Sequence, residues 1–294
     1  IEGSYIIVFK DGVKNIPGLA RALAASSGGE LGFVYEHAVR GFSARIPAAA
    51  IEGLRRNPNI AIIEADQEVS ISATQTNATW GLDRIDQRDL PLNGTYVYNA
   101  DGSGVRSYIV DTGIRNAHVD FGGRAAGGFT AINDGRGTDD CNGHGTHVAG
   151  TVGGTTWGVA KNTSLIAVRV LNCQGSGTTS GVIAGVDWVT ANHVKPAVAN
   201  MSLGGSASST LDNAVANAVA AGVTFVVAAG NSNANACNYS PARAASAITV
   251  GATTTSDARA SYSNFGSCLD IFAPGSGITS AWSTSNTATN TISG

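Results

Sequence analysis

A histidine between two glycines stands at the centre of Asp140-Cys141-Asn142-Gly143-His144-Gly145-Thr146-His147-Val148-Ala149-Gly150. The stretch reads as a loop entering a tight helix, with glycines that let the backbone approach a neighbour and leave the imidazole uncrowded. That suits a histidine whose task is to take up and return a proton. A lone loop histidine is more often solvated or structural. Metal binding by His144 with His147 is a second reading, but the H-E-x-x-H pattern with its glutamate base is missing. The company of His144 decides. Upstream, the β-rich run Val105 to Val110 ends in Asp111 and a glycine turn, and in parallel α/β sheets functional groups gather at the carboxyl ends of strands. Downstream, Val223 to Ala229 repeats the arrangement and leads through Gly230 to Asn231, whose amide N–H could donate to a developing oxyanion. A group to orient, a group to transfer a proton and a group to hold an oxyanion are three parts of an acyl-transfer site.

The elements that must position these groups follow from periodicity. After residue 73 strands and helices alternate, which predicts an α/β domain with a parallel sheet covered on both faces. Ser164 to Val170 and Ala197 to Ser202 read as buried strands. Val182, Ile183, Val186 and Val189 trace the inner face of one helix, and Leu211, Val215, Ala218 and Val219 that of another stopped by Gly222. Residues 1–72 form a separate unit with the order β-α-β-β-α-β of a ferredoxin-like α+β domain. Its strands lie at 4–9, 33–35, 41–46 and 60–64, with helices around Leu19 and Leu23 and from Pro47 through Ile51 and Leu54 to Asn57-Pro58.

Composition bounds the function. The 294 residues are 43% hydrophobic and only 13% charged, enough to build a core. A net charge of -3 gives no electrostatic case for nucleic acid, and no apolar run approaches the ~18 residues of a membrane helix. No basic-then-apolar leader precedes Ile1, so the expectation is a secreted chain whose signal peptide has been removed. The four cysteines, Cys141, Cys173, Cys237 and Cys268, lack C-x-x-C spacing and favour disulfides over zinc; three pairings are open.

Val110-Asp111-Thr112-Gly113, Asn142-Gly143-His144-Gly145-Thr146-His147, Asn200-Met201-Ser202-Leu203-Gly204-Gly205 and Ala228-Ala229-Gly230-Asn231 resemble the signature blocks of subtilisin-like serine proteases. Trp80-Gly81-Leu82-Asp83-Arg84-Ile85-Asp86 and Asn238-Tyr239-Ser240-Pro241-Ala242 are similar to the proteinase K branch and its aqualysin-type thermophilic members. The resemblance runs from about Ala73 to the last residue and implies a subtilisin-like parallel sheet flanked by helices, with Asp111 orienting His144 and Asn231 holding the oxyanion. It implies that residues 1–72 are an inhibitory propeptide, the chain's own intramolecular inhibitor, followed by a peptidase domain over 73–294. The extended tail Val69-Ser70-Ile71-Ser72 would lie in the cleft with Val69 and Ile71 on one face, and cleavage would fall near Ala73.

The resemblance also implies that Gly175-Ser176-Gly177 and Ser202-Leu203-Gly204 flank an extended peptide or protein substrate. Read alone, both are ordinary turns. Ala228, Ala229 and Gly230 would line the pocket for the residue before the scissile bond. It selects the pairings Cys141–Cys173 and Cys237–Cys268, each closing a loop worth roughly 3–4 kcal/mol on the chain-entropy model. For structural calcium it points to Asp270 with the carbonyls of Ala245 and Ala247, and to Asp83, Asp86 and Gln87 near Asn93 and Thr95. Asp134, Asp139 and Asp140 form a third acidic cluster. For these groups solvated surface or helix capping is the bland alternative.

One departure stands out. The family's nucleophile lies in Gly-Thr-Ser-Met-Ala after a run like Thr291-Ile292-Ser293-Gly294, so Ser293 is not the nucleophile and the attacking serine is expected beyond Gly294. No Gly-x-Ser-x-Gly elbow replaces it, which argues against an α/β-hydrolase. The expectation is a monomeric endopeptidase precursor whose remainder follows on the same or a separate chain. The alternative is a truncated, non-catalytic chain acting only as a propeptide-inhibited binding module.

Overall fold

The computed structural model describes residues 1–67 and 72–294, and the chain divides into two compact units, 1–71 and 72–294. Three of the four residues of the expected tail, Val69, Ser70 and Ile71, lie outside the described residues.

The first unit runs β1 (Ser4–Phe9), α1 (Ile16–Ser26), β2 (Glu30–Tyr35), β3 (Gly41–Arg45), α2 (Ala48–Arg55), β4 (Ile60–Ala65). Its four strands form one antiparallel sheet in the order β2-β3-β1-β4. Period-two alternation sends Ile7 and Phe9 of β1, and Phe42 and Ala44 of β3, to the face where the helices pack. Ile16, Ala20 and Ala24, four residues apart, supply the inner stripe of α1, and Ile51 and Leu54 that of α2. Asn15 starts α1 by accepting the Gly18 amide with its side chain, and Pro17 occupies the first turn, where no donor is missed.

The second unit begins with β5 (Ala73–Thr76), α3 (Trp80–Ile85), β6 (Thr95–Tyr98), β7 (Arg106–Asp111), β8 (Ala125–Thr130), α4 (His144–Gly153), β9 (Ser164–Arg169), α5 (Thr179–Asn192) and β10 (Ala197–Met201). It continues with β11 (Gly205–Ser206), α6 (Ser209–Ala220), β12 (Val223–Ala228), β13 (Tyr239–Ser240), β14 (Ile248–Thr253), β15 (Ile271–Pro274), β16 (Ile278–Ala281) and β17 (Thr289–Ile292). Seven strands make one parallel sheet in the order β15-β14-β12-β10-β7-β9-β8.

Parity along the strands sorts the core into two layers. Tyr108 and Val110 of β7 face α5 and α6, meeting Val186, Val189, Val215 and Ala218. Ile109 faces the other way, toward Ala149 of α4, with Leu165 and Ala167 of β9. On that second face helix α4 packs over β7 and β9. On the same face of β10, β12 and β14, Val198, Val226, Ala228, Ile248 and Val250 are half-buried or exposed, while alternate residues such as Ala199, Phe225 and Val227 are buried.

This order sets the site. β10 lies between β7 and β12, so the residues after all three strands, with the first turn of α4, meet at one rim of the sheet.

Candidate active site

Helix α4 begins at His144 with Gly143 as its N-cap, at φ 112. A glycine cap has no side chain to satisfy the free amides of the first turn. Three other residues do this. Asn142 Oδ1 accepts the His144 amide at 3.1 Å, Thr112 Oγ1 the Gly145 amide at 2.8 Å, and Asp140 Oδ2 the Thr146 amide at 2.9 Å. The missing side chain at Gly143 is a packing requirement, because a Cβ there would come within 2.3 Å of the Trp282 indole. Gly145 is likewise pressed against the Gly113 carbonyl, 2.2 Å from where its Cβ would sit. The helix therefore starts against the end of β7, and the sequence's glycines mark that close approach.

At this junction His144 Nδ1 donates to Asp111 Oδ1 at 2.7 Å. The carboxylate is sealed from solvent and the imidazole is 36% exposed, so the pair is anchored inside and reachable outside. The Thr112 amide also donates to Oδ1, at 2.7 Å, while Oδ2 has no partner among the described residues. With Nδ1 carrying its hydrogen toward Asp111, Nε2 is left as the base. Burial pulls the His144 pKa down, but the Asp111 hydrogen bond and the charges of Asp111 and Asp140 outweigh it, and the net shift is upward. His147 differs. Burial holds its pKa low, Nε2 bonds the Ile278 carbonyl at 3.0 Å, and its ring meets Trp282 edge-on. It ties α4 to the β16–β17 hairpin and is no metal partner for His144.

Asn231 is exposed just beyond β12, and among the described residues nothing engages its side chain. A Cβ built on Gly294 would lie 3.3 Å from its Nδ2, so the amide faces the segment that follows β17. The loop is held by a residue that sequence reasoning missed, Asn264. It is fully buried, donates to the Ala229 carbonyl at 2.8 Å, and accepts the amides of Ser232 and Ala234 at 3.0 and 2.9 Å. Thr112 was missed too. A threonine beside a strand-end aspartate carries no signal until α4 is seen against it.

A cleft of ≈ 480 Å³ opens from His144 along the rim. Gly175, Ser176 and Gly177 form one wall and Ser202, Leu203 and Gly204 the other, with Leu171, Val182 and Leu211 between them. Apart from His144 the lining is uncharged among the described residues. Ala228, Ala229 and Gly230 are outside this cleft; Ala229 is buried, and the space beside Gly230 is filled by the Asn264 amide, 2.5 Å from a Cβ position.

Disulfides join Cys141 to Cys173 and Cys237 to Cys268. The first links the His144 loop to the loop that becomes the 175–177 wall, and Asn142 Nδ2 adds a bond to the Cys173 carbonyl at 3.0 Å. Beneath it Arg169, fully buried, forks onto both oxygens of Asp134 at 2.8 and 2.6 Å and reaches Cys141 Sγ at 3.3 Å.

The acidic groups divide. Asp134 belongs to Arg169, which holds its carboxyl down to about 2, and Asp140 belongs to the start of α4. The third cluster is thus engaged elsewhere, with Asp139 exposed. Among the described residues the one trio of ligating types, Asp134, Cys141 and Cys173, has its two sulfurs bonded to each other. Asp83 is buried and accepts the amides of Asn93 and Gly94, anchoring that turn. Asp86 Oδ1 and Gln87 Oε1, by contrast, are buried oxygens without partners among the described residues, which fits a hard cation. Asp270 is drawn to the chain just past Ala245 and Ala247 by the Thr249 amide, at 2.8 Å.

A strand-end Asp–His pair on the rim of a parallel α/β sheet, beside a neutral cleft, is the framework of a serine hydrolase of subtilisin type. The chain belongs to the subtilase family. Residues 102–294 match the family described as "Subtilase family", and residues 4–72 match "Peptidase inhibitor I9". It is 57% identical to the "Extracellular serine proteinase" of Thermus sp. (strain Rt41A), over all of this chain and 77% of that one. It is 58% identical to the "Alkaline serine exoprotease A" of Vibrio alginolyticus, over 85% of this chain and 48% of that one. A solved cold adapted subtilisin-like serine proteinase superposes with a TM-score of 0.73 at 60% identity, covering 74% of this chain and 80% of the other.

Proposed function

We propose that the chain is the precursor of a secreted, monomeric serine endopeptidase that cleaves peptide and protein substrates. The observation that carries this is the sealed Asp111 carboxylate bonded to a half-exposed His144 at the mouth of a neutral cleft. In the reaction His144 Nε2 takes the proton of a serine hydroxyl as the serine attacks the peptide carbonyl. It then returns the proton to the leaving amine, while Asp111 holds the imidazole and stabilises its charged form. The Asn231 amide donates to the oxyanion. The substrate backbone extends between 175–177 and 202–204, an exposed edge suited to strand addition.

The serine is assigned to the residues after Gly294. The half-covered sheet face over β10, β12 and β14 supports this, since a parallel sheet needs both faces buried. Gly294 donates to the Gly275 carbonyl at 2.9 Å just after β15, at the edge of that face. A helix continuing from there would bury Val226 and Val250. Residues 1–72 act as propeptide, with cleavage near Ala73. Calcium is assigned to Asp86 and Gln87, and to Asp270 with the carbonyls of Ala245 and Ala247; bound there it would supply only structural charge.

The test is hydrolysis of an unfolded protein such as denatured casein by the full-length protein and its His144→Ala variant. Cleavage by the first and its loss in the second is expected. Equal cleavage by both would overturn the assignment.

A further inference from the structure

We infer that Asn264 is a positioning residue for the oxyanion site, aligning the Asn231 amide from below. The inference rests on the reading of Asn231 as oxyanion donor and adds the device that makes the donor effective. An exposed asparagine on a loop is a poor electrostatic catalyst unless its backbone is fixed, because the benefit of such a donor comes from being pre-aligned.

Asn264 supplies that fixation on both sides of Asn231. Nδ2 donates to the Ala229 carbonyl two residues before it, at 2.8 Å. Oδ1 accepts the amides of Ser232 and Ala234, one and three residues after it, at 3.0 and 2.9 Å. The Asn264 backbone amide adds a bond to the Gly230 carbonyl at 2.9 Å. One fully buried residue thus brackets Asn231 and leaves its side chain unengaged at the surface.

Gly230 fits the same account. Its φ of +102 is open to glycine, and a Cβ would stand 2.5 Å from Asn264 Nδ2. The amide therefore occupies the place of a side chain at residue 230. Aspartate at 264 would keep the shape and the acceptor but set oxygen against the Ala229 carbonyl.

The experiment measures kcat and KM of the full-length, processed enzyme for wild type, Asn231→Ala, Asn264→Asp, Asn264→Ala and the double variant Asn231→Ala/Asn264→Ala. Asn231→Ala is expected to lower kcat by ~10²–10³-fold. Asn264→Ala and Asn264→Asp should each lower kcat by roughly 10-fold or more with KM within about 3-fold, the pattern of an interaction made in the transition state. The double variant should be no slower than Asn231→Ala, because Asn264 acts through the amide already removed. If Asn264→Ala fails to fold, the same comparison is made with Asn264→Asp in both backgrounds. Unchanged kcat at 264, or losses that multiply in the double variant, would overturn the inference while Asn231 keeps its role. Unchanged kcat in Asn231→Ala alone would overturn both.

Discussion

The hydroxyl of Thr112 donates to Asp140 Oδ1 at 2.9 Å, a bond between the residue after Asp111 and the residue four before His144. The same hydroxyl accepts the Gly145 amide at 2.8 Å. The Asp111–His144 distance is therefore built by the neighbours of each partner. Strand β7 and helix α4 are locked together through Thr112 and Asp140, both buried.

Replacing Thr112 with valine keeps the shape and removes the hydroxyl. Asp140 loses one donor and the Gly145 amide loses its acceptor. The expected result is a fall in unfolding free energy of about 1–3 kcal/mol, the penalty for buried polar groups left unsatisfied. Denaturant unfolding of the variant measures it as a lower midpoint with unchanged slope.

The pH profile should carry the mark of His144. Burial lowers its pKa, and Asp111 with Asp140 raises it further, leaving it above the ordinary histidine value. The charged imidazole is thus favoured in the fold, and its contribution to stability is full below pH ~6.5 and lost as pH rises through the higher folded value. Activity runs oppositely, because the base must be neutral. The acid limb of kcat/KM is expected above pH ~6.5. Asp111→Asn should move the limb down and lower kcat by about 10⁴-fold, the scale seen in other Asp-His-Ser enzymes. A limb unmoved by that change would separate His144 from the pH dependence.

The Cys141–Cys173 bond closes a loop with a sequence separation of 32 and joins the His144 loop to one cleft wall. Changing both cysteines to serine should remove about 3–4 kcal/mol on the chain-entropy model. It should also raise KM more than the matching change at Cys237 and Cys268, whose bridge is away from the cleft lining. Melting curves and steady-state kinetics of the two double variants make the comparison.

For calcium, the unpartnered Asp86 Oδ1 and Gln87 Oε1 make a specific expectation. Chelator should lower the Tm of the wild type, and part of that drop should be absent in Asp86→Asn, which has already lost the site. A melting curve indifferent to chelator would remove calcium from the account.

Much of this was legible in the chain. The β-rich run Val105 to Val110, buried from Ser107 onward, and the helical stripe of Val182, Val186 and Val189 foretold the sheet and its covering helix, because burial on both faces favours a continuous strand and burial on one face a helical period. The Asp111–His144 contact could be anticipated because strand ends and glycine-flanked loops bring such groups together, and the same reasoning is what proposes Asn231. Asn264 was not legible, since a buried asparagine in Tyr262-Ser263-Asn264 looks like any loop polar residue until the backbone groups it serves are in place. The acidic cluster at 134–140 misled for the same reason. Carboxylates close in sequence suggested a cation, yet Asp134 faces Arg169 from β9 and Asp140 caps α4. Their partners are set by tertiary packing.

The most direct test of the whole account is labelling of the full-length protein with a fluorophosphonate, which phosphonylates an activated serine, followed by peptide mapping. One modified serine is expected, in a peptide that follows Gly294, with loss of labelling in His144→Ala. Labelling within residues 1–294, at Ser293 for example, or labelling that persists without His144, would contradict it.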